Sequence, residues 1–271
     1  MCRILFLKGE NKEKTLEYLD AFSKSGTCDK RFEKLTQNLN VKGLKDQHIH
    51  GWGYLLVTSK NVSTYLTSEF IRDDVSGIEK LKTEVKNITG KFVLFAEIRV
   101  TDRGYVSAFN SHPFTFSTKN GIDGFLFHNG FLDGDVVAKD IGINPELYKT
   151  KNSSTFIGLS ISKNLEQGKS MLESLFLPDD SIRTTYNLML FIHDNNGKFK
   201  AYIYPHIKKS ALAFDYICDC NKLLRKDYDD LIYIGSSTIS DYIHEEFSVL
   251  ENNKLLEFDI DFVEEYYFSG E

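Results

Sequence analysis

The chain has 271 residues, of which 41% are hydrophobic and 27% are charged, a composition typical of a folded globular protein and not of a disordered one. Its net charge of −6 leaves no basic excess to neutralise phosphates, which argues against nucleic acid as a main partner. No apolar stretch approaches the roughly 20 residues that span a bilayer, so we expect no membrane association.

The four cysteines are Cys2, Cys28, Cys218 and Cys220. They do not form the disulfide framework of a secreted chain, so we expect a reducing, cytoplasmic compartment. Cys218 and Cys220 are spaced as a metal-binding pair could be, but no second pair of ligands with zinc spacing accompanies them. We therefore predict that both are buried structural thiols and that the chain holds no metal.

The elements of the first half follow from apolar periodicity and helix-end signals. Leu16, Leu19 and Phe22 recur at helical spacing after Asn11, which is a favourable N-cap. Gly90 is expected to end a later helix. These patterns predict strands at 1–8, 51–58, 92–100 and 123–128, helices at 11–23 and 76–88, and a helical region in two pieces at 155–176.

The second half changes to β-branched and aromatic runs. They predict strands at 186–193, 199–204, 231–235 and 254–259. Asn195-Asn196-Gly197 is a good hairpin turn between the first two. Strands, then helices, then strands indicate an α+β fold in which helices pack on antiparallel sheets, and not alternating βαβ units.

Cys2 directly follows Met1, and cysteine is small enough for Met1 to be removed. Removal would place a thiol and a free α-amine on one residue. An α-amine has a reference pKa of about 7.7–8.0 and a thiol one of about 8.5, so the amine can accept the thiol proton near neutral pH. Cys2 is therefore a candidate nucleophile. Taken alone, a small residue that begins a strand is the more common explanation.

Two further segments have both a structural and a chemical interpretation. Gly51-Trp52-Gly53 indicates close backbone approach at a strand start, or simple packing of the tryptophan. A metal site at the preceding His48 and His50 lacks further ligands. Arg99, at the end of a predicted strand, could hold a carboxylate with two parallel hydrogen bonds or be an ordinary surface arginine.

Asn129 and Gly130 form the most informative of the later segments. The side-chain amide of Asn129 and the backbone N–H of Gly130 can together form an oxyanion hole. An Asn-Gly turn is the structural alternative, and the two are compatible because the turn would aim the donors.

The order and spacing of these segments are together distinctive. Met-Cys-Arg opens the chain, and Gly-Trp-Gly, Ala-x-x-Arg, Asn-x-His-Pro-Phe and His-Asn-Gly follow at 51–53, 96–99, 110–114 and 128–130. The series resembles the class II glutamine amidotransferases, and most of all their stand-alone branch. The resemblance implies one glutamine amidotransferase domain at 1–271, with no room for a fused acceptor domain.

The resemblance also implies a fold and a mechanism. The family has a four-layer αββα fold of two antiparallel sheets between helical layers, which is the N-terminal-nucleophile hydrolase type. Cys2 would be the nucleophile, its α-amine the base, and Asn129 with Gly130 the oxyanion hole. The reaction releases ammonia or an amine from glutamine or a γ-glutamyl amide, without a metal or an organic cofactor. In some relatives a partner synthase receives the ammonia.

The substrate-binding residues implied by the same resemblance are Arg99, His128, Trp52 and Ser153. Arg99 would bind the α-carboxylate of glutamine, and His128 and Trp52 belong to the matching motifs. Ser153 stands where the family has an acid that binds the α-amine, and a neutral hydroxyl cannot pair with an ammonium as a carboxylate does.

Two other positions depart from the family, since Glu97 replaces a usual His and His50 replaces a usual Asp. With Ser153, these departures leave four alternatives open. Free glutamine binds weakly, another acid substitutes, the substrate is a different amide, or the chain is a catalytically impaired relative that acts as a binding or regulatory protein.

Overall fold

The computed structural model describes residues 2–38, 47–101 and 104–263. In chain order its strands are β1 (Arg3–Gly9), β2 (Trp52–Thr58), β3 (Val62–Thr67), β4 (Phe92–Ile98), β5 (Phe114–Ser117), β6 (Asp123–Leu132), β7 (Ile182–His193), β8 (Phe199–Tyr204), β9 (Leu223–Asp227), β10 (Leu231–Ser236), β11 (Ser248–Val249) and β12 (Leu256–Asp259). Its α-helices are α1 (Lys12–Thr27), α2 (Lys30–Asn38), α3 (Val75–Asn87), α4 (Gly134–Asp140), α5 (Ser154–Glu166), α6 (Met171–Ser174) and α7 (Asp215–Asn221).

The strands form two antiparallel sheets. The seven-stranded sheet has the order β11-β9-β10-β1-β4-β2-β3, and the five-stranded sheet has the order β12-β8-β7-β6-β5. The first strand therefore lies at the centre of the larger sheet, between β10 and β4. Because β1 is central, the residue that precedes it is held close to the ends of its neighbours.

Successive side chains of a strand point to opposite faces of the sheet, and in both sheets the residues on each face are largely apolar. Leu5 and Leu94 face α1 and α3, whereas Phe6 and Phe95 face the second sheet. The far face of the five-stranded sheet packs on α5 through residues such as Ile157. The layers are thus helix, sheet, sheet and helix, and the predicted α+β, four-layer αββα arrangement is confirmed.

The predicted elements agree with the structure apart from their bounds and several omissions. Asn11 caps α1 as expected, since its side chain accepts from Lys14 N at 2.8 Å. The strand predicted at 92–100 ends at Ile98. The backbone of Arg99 instead bonds the segment before β2, with its N–H donating to Gly51 O at 2.8 Å and its carbonyl accepting from His50 N at 3.0 Å. The sequence patterns missed β3, β5, β9, β11, α2, α4 and α7.

A buried polar cluster fixes the start of β1. The Arg3 guanidinium pairs through Nε with Asp29 Oδ2, and its Nη1 donates to Cys2 O at 2.8 Å. Its Nη2 donates to Cys220 Sγ at 3.0 Å. His48 Nε2 lies 3.0 Å from the same Asp29 oxygen. These contacts hold the carbonyl of Cys2, and so orient the candidate nucleophile.

Burial and ion pairing determine the protonation of Asp29 and His48 in this cluster. Burial alone would raise the pKa of Asp29, but Arg3 and then His48 hold it well below its usual range. Burial, and then the positive charge of Arg3, lower the pKa of His48 to about 4. His48 is therefore neutral near pH 7. Because the carboxylate can only accept, His48 carries its proton on Nε2.

The cysteine prediction is confirmed for the two residues near the end of α7. Cys218 and Cys220 are buried, and all four cysteines are free. Cys220 contributes to the cluster around Arg3. Among the residues that the structure describes, no helix is both long and apolar enough to cross a bilayer.

We predict that Asp29→Asn destabilises the fold by about 3–5 kcal/mol, because it leaves a buried guanidinium without its carboxylate. Urea denaturation measures the loss. Asp20→Asn is the matched control, because Asp20 is 56% exposed and pairs only with Lys82 among the described residues, so its loss should stay below about 1 kcal/mol. Equal stability of the two variants would contradict the role given to Asp29.

Candidate active site

Cys2 lies at the end of the central strand, facing the second sheet. It has the same parity along the chain as Ile4 and Phe6, whose side chains lie between the sheets. Its Sγ is 3.9 Å from Val100 O, just beyond β4, and the residue is only 6% exposed. The strand order thus brings the ends of β1 and β4 to one point.

Asn129 reaches this point from the other sheet. The backbone nitrogen of Cys2 donates to Asn129 Oδ1 at 3.1 Å. Because a nitrogen donor needs an oxygen acceptor, this bond fixes the orientation of the amide, and Nδ2 must point the other way. Asn129 Nδ2 is buried and makes no hydrogen bond with the described part of the chain. One side chain therefore orients the Cys2 nitrogen and presents a free donor.

Gly130 follows on β6 and lies opposite Tyr186 of β7. The N–H of Tyr186 donates to His206 O at 2.8 Å, on the far side of β7. The two residues therefore do not exchange hydrogen bonds, and the N–H of Gly130 points away from β7. A Cβ at Gly130 would lie 1.9 Å from Thr185 O, so only glycine fits this close approach.

Four buried side chains form a continuous set of contacts behind the cysteine. Glu97 Oε1 lies 2.6 Å from His112 Nδ1, and Glu97 Oε2 accepts from His128 N at 3.1 Å. Ser154 Oγ lies 3.0 Å from His112 Nε2 and 3.1 Å from His128 Nδ1. The set joins β4, the segment before β5, β6 and the start of α5.

The electrostatic environment disfavours a thiolate at Cys2. Burial first, and then the Glu97 carboxylate, raise the pKa of the Cys2 thiol, and the positive charges of the amino terminus and then of Arg99 oppose this only in part. The thiol is therefore protonated near neutral pH, so any nucleophilic attack needs an acceptor for its proton.

His50, where the resemblance leads one to expect an aspartate, acts as a hydrogen-bond acceptor. Its Nδ1 accepts from Thr101 N at 2.9 Å. Burial, and then Arg99, lower the pKa of His50. The imidazole therefore stays neutral, and its accepting Nδ1 carries no proton. A neutral imidazole thus supplies the acceptor that a carboxylate in its place could also supply.

A cavity of about 20 Å³ opens beside the cysteine. It is lined by residues that include Cys2, Thr101, His112, His128, Gly130 and Ser153. This volume holds about one water molecule. Ligand pockets usually exceed about 300 Å³, so a substrate needs more room than the cavity offers. A larger cavity of about 590 Å³, between the β2–β3 hairpin and α3, has none of these residues in its wall.

The structure brings most of the candidate residues together. Cys2, His128, Gly130 and Ser153 line the small cavity, and Asn129 bonds the Cys2 nitrogen. Arg99 is fully buried directly after β4, where its charge acts on the Cys2 thiol, but it does not line this cavity.

Trp52, which was predicted to bind the substrate, lies away from the candidate site. It shares the parity of Tyr54 and Leu56, so its ring packs in the core beneath α1 and α3, on the opposite face of the sheet from Cys2. Its Nε1 donates to Asp74 Oδ2 at 2.9 Å. The expectation of a substrate contact is corrected, and simple packing explains the tryptophan.

Three residues of the site were not among the predicted site residues. His112 belongs to the Asn-x-His-Pro-Phe segment and Ser154 is adjacent to Ser153, so both were close to signals in the sequence. Glu97 was visible only as a departure from a family pattern. No spacing in the sequence indicates that these three meet, because they come from different elements and converge only through the stacking of the two sheets.

Comparisons with known proteins bear on the fold. Neither the models of protein families nor the curated proteins gave a match. Among solved structures, the chain is similar to the allosteric regulatory enzyme of purine biosynthesis, with a TM-score of 0.57 and 13% sequence identity. The match covers 96% of this chain and 47% of that chain, so this chain spans about half the length of that protein. At this identity the likeness shows the fold, and it supports the αββα arrangement independently.

We predict that Glu97→Gln lowers the pKa of the Cys2 thiol, because it removes the carboxylate charge beside it. The rate of alkylation of the Cys2 peptide, followed by mass spectrometry against pH, should then rise at lower pH than in the unmodified chain. Glu84→Gln is the control, since Glu84 contacts Tyr54 from α3 on the opposite face of the sheet. A pH profile unchanged by Glu97→Gln, or moved to higher pH, would contradict this electrostatic effect.

Proposed function

We propose that this chain is an amide hydrolase of the class II glutamine amidotransferase kind, with Cys2 as the nucleophile after removal of Met1. The observation that carries the proposal is the bond from the Cys2 nitrogen to Asn129 Oδ1. It holds the future α-amine beside its own thiol and leaves Asn129 Nδ2 as an unused, buried donor. This one contact thereby positions the proposed nucleophile, base and oxyanion donor.

The proposed reaction has two stages. Cys2 Sγ attacks the side-chain amide carbon, a C–S bond forms, and the thiol proton passes to the α-amine. Asn129 Nδ2 and the Gly130 N–H stabilise the oxyanion. The C–N bond then breaks, the leaving nitrogen takes the amine proton, and ammonia or an amine departs. Water finally attacks the thioester, the C–S bond breaks, and the acid and the free thiol are restored.

Loss of Met1 is required in this proposal, because it creates the α-amine. Processing would then supply the base. The proposal treats 1–271 as one catalytic domain, with ammonia passing either to solvent or to a partner synthase.

The substrate class follows from the charges near the cavity. Arg99 is proposed to attract the α-carboxylate of a glutamine or γ-glutamyl compound. None of the described residues that line the cavity is an Asp or Glu, and Ser153 is neutral. Glu97 does not line the cavity, so it is not placed to replace the missing acid. We therefore favour a γ-glutamyl amide whose α-nitrogen is not a free ammonium. Asp102 lies outside the described residues.

The four free cysteines support a reducing compartment such as the cytoplasm for this chemistry. A thiol nucleophile needs such conditions, because oxidation of Cys2 would abolish attack.

We predict that Asn129→Asp lowers kcat about 10²–10³-fold, because it keeps an oxygen for the Cys2 nitrogen but removes the NH₂ donor. Ammonia release from L-glutamine and from N-acetyl-L-glutamine measures the effect, using protein whose loss of Met1 is confirmed by intact mass. Cys2→Ala gives the background rate. Asn129→Asp with a kcat near that of the unmodified chain would rule out Asn129 as the oxyanion donor.

We also predict that Ser153→Asp lowers KM for L-glutamine about tenfold or more, because a carboxylate can form a charge-assisted bond with its ammonium. The same change should give no gain with N-acetyl-L-glutamine, which has no ammonium. Ser153→Asn is the matched uncharged variant. Equal gains for both substrates would show that Ser153 does not face the α-nitrogen.

A second candidate is a binding or regulatory protein that keeps the fold without catalysis. The small cavity and the neutral Ser153 favour it. It predicts no amide hydrolysis dependent on Cys2, even when Met1 is gone. Hydrolysis of either substrate that disappears in Cys2→Ala would exclude it.

A further inference from the structure

The contacts among the side chains of Glu97, His112, Ser154 and His128 form a path between a carboxylate and the cavity. Each step is short, at 2.6 Å, 3.0 Å and 3.1 Å in that order. All four side chains are buried, so water does not compete along the path. The far end, His128 Nε2, makes no hydrogen bond with the described part of the chain, and His128 lines the cavity.

The contact between Glu97 and His112 is a charge contact, since neither Glu97 Oε1 nor His112 Nδ1 makes a hydrogen bond with the described part of the chain. A bare lone pair on Nδ1 would repel the carboxylate oxygen 2.6 Å away, so the proton of a neutral His112 is placed on Nδ1. When His112 is neutral, its Nε2 must accept from the Ser154 hydroxyl. The Ser154 oxygen then accepts from His128 Nδ1–H. His128 is thereby left with a bare lone pair on Nε2, which is a proton acceptor at the cavity.

The same path has a second arrangement that differs by one proton. A proton taken up at His128 Nε2 releases the Nδ1 proton to Ser154, whose own proton passes to His112 Nε2. The positive charge then lies on His112, 2.6 Å from the Glu97 carboxylate. This position suits the charge because an opposite charge at that distance stabilises it in a buried site.

We propose that these four residues are a proton relay that opens into the cavity at His128 Nε2 and ends at the Glu97–His112 pair. The proposal rests on the proposed function and adds a second proton acceptor to the α-amine of Cys2. His128 would be the catalytic residue, whereas Ser154, His112 and Glu97 act through it. The departure at Glu97 is then the feature that makes the relay work, because a neutral histidine there would not stabilise a charge on His112.

The relay is assigned to hydrolysis of the thioester. A water molecule attacks the thioester carbon, a C–O bond forms, and one water proton goes to His128 Nε2. The charge moves to His112 as described. The C–S bond then breaks, the proton returns along the same path, and Cys2 leaves as a thiol. Protons and charges balance, and no further reactant is needed.

The surroundings of His128 explain why a relay is needed. The groups that face it are Glu97, His112, Cys2 and, from β7, Tyr186, whose ring lies 5.7 Å away. Burial, and then His112, hold the pKa of His128 well below its usual range. A lasting charge on His128 is therefore unfavourable, and transfer toward Glu97 avoids it.

The relay has a test that does not depend on catalysis. Long-range ¹H–¹⁵N spectra of the labelled protein report the tautomer of each histidine. We expect His128 to carry its proton on Nδ1 near pH 7.5, and Ser154→Ala to change the His112 and His128 signals. Ser160→Ala is the matched control, since Ser160 is a buried serine of the same helix outside the relay. A proton on Nε2 of His128 in the unmodified chain would overturn the proposal.

Kinetics supply the second test. With N-acetyl-L-glutamine, Ser154→Ala should keep the initial burst of ammonia but slow the steady state about 10²-fold, because only thioester hydrolysis uses the relay. Ser154→Thr keeps the hydroxyl and should restore most of the rate. An equal loss in both phases, or no rescue by threonine, would reject the relay. If Cys2-dependent release is absent altogether, the proposed function fails while the tautomer result still decides whether the relay is formed.

Discussion

The hydrogen bond from the Cys2 nitrogen to Asn129 Oδ1 joins the two sheets beside the candidate nucleophile. Cys2 precedes the central strand of one sheet and Asn129 belongs to β6 of the other. Their distance is therefore set by the packing between the sheets. Because Asn129 has a single amide, orienting its oxygen toward Cys2 also fixes its donor. The packing of the two sheets in the αββα fold thus sets the relative position of Cys2 and Asn129.

Two buried polar groups of residues hold this bond from opposite sides. The cluster of Arg3 and Asp29 secures the carbonyl of Cys2 within its own sheet. Glu97 secures the backbone of His128, next to Asn129, by accepting its N–H. Both carboxylates are fully enclosed, and each has more than one partner. Loss of one partner would leave a buried charge unpaired and would destabilise the fold. These contacts therefore favour a single geometry of the site.

The sequence predicted the fold class and named most of the residues that the structure brings together around Cys2, for physical reasons that also explain the failures. Motif order pointed to Cys2, Asn129 and Gly130, because the Met-Cys-Arg and His-Asn-Gly segments are short and contiguous in the sequence. Trp52 was misplaced because residue type alone does not reveal strand parity. The path from Glu97 to His128 could not be predicted, because it depends on how two sheets and α5 stack. Short edge strands such as β3 also left too little apolar pattern to recognise.

The most direct measurement compares ammonia release by two proteins that differ at the amino terminus. One has Met1 removed, as verified by intact mass, and the other carries one alanine inserted between Met1 and Cys2. The insertion keeps the thiol but moves the free α-amine to another residue. We predict release from an N-acylated γ-glutamyl amide by the first protein and none by the second, with both folded. Equal release by the two would contradict the assignment of the Cys2 α-amine as base.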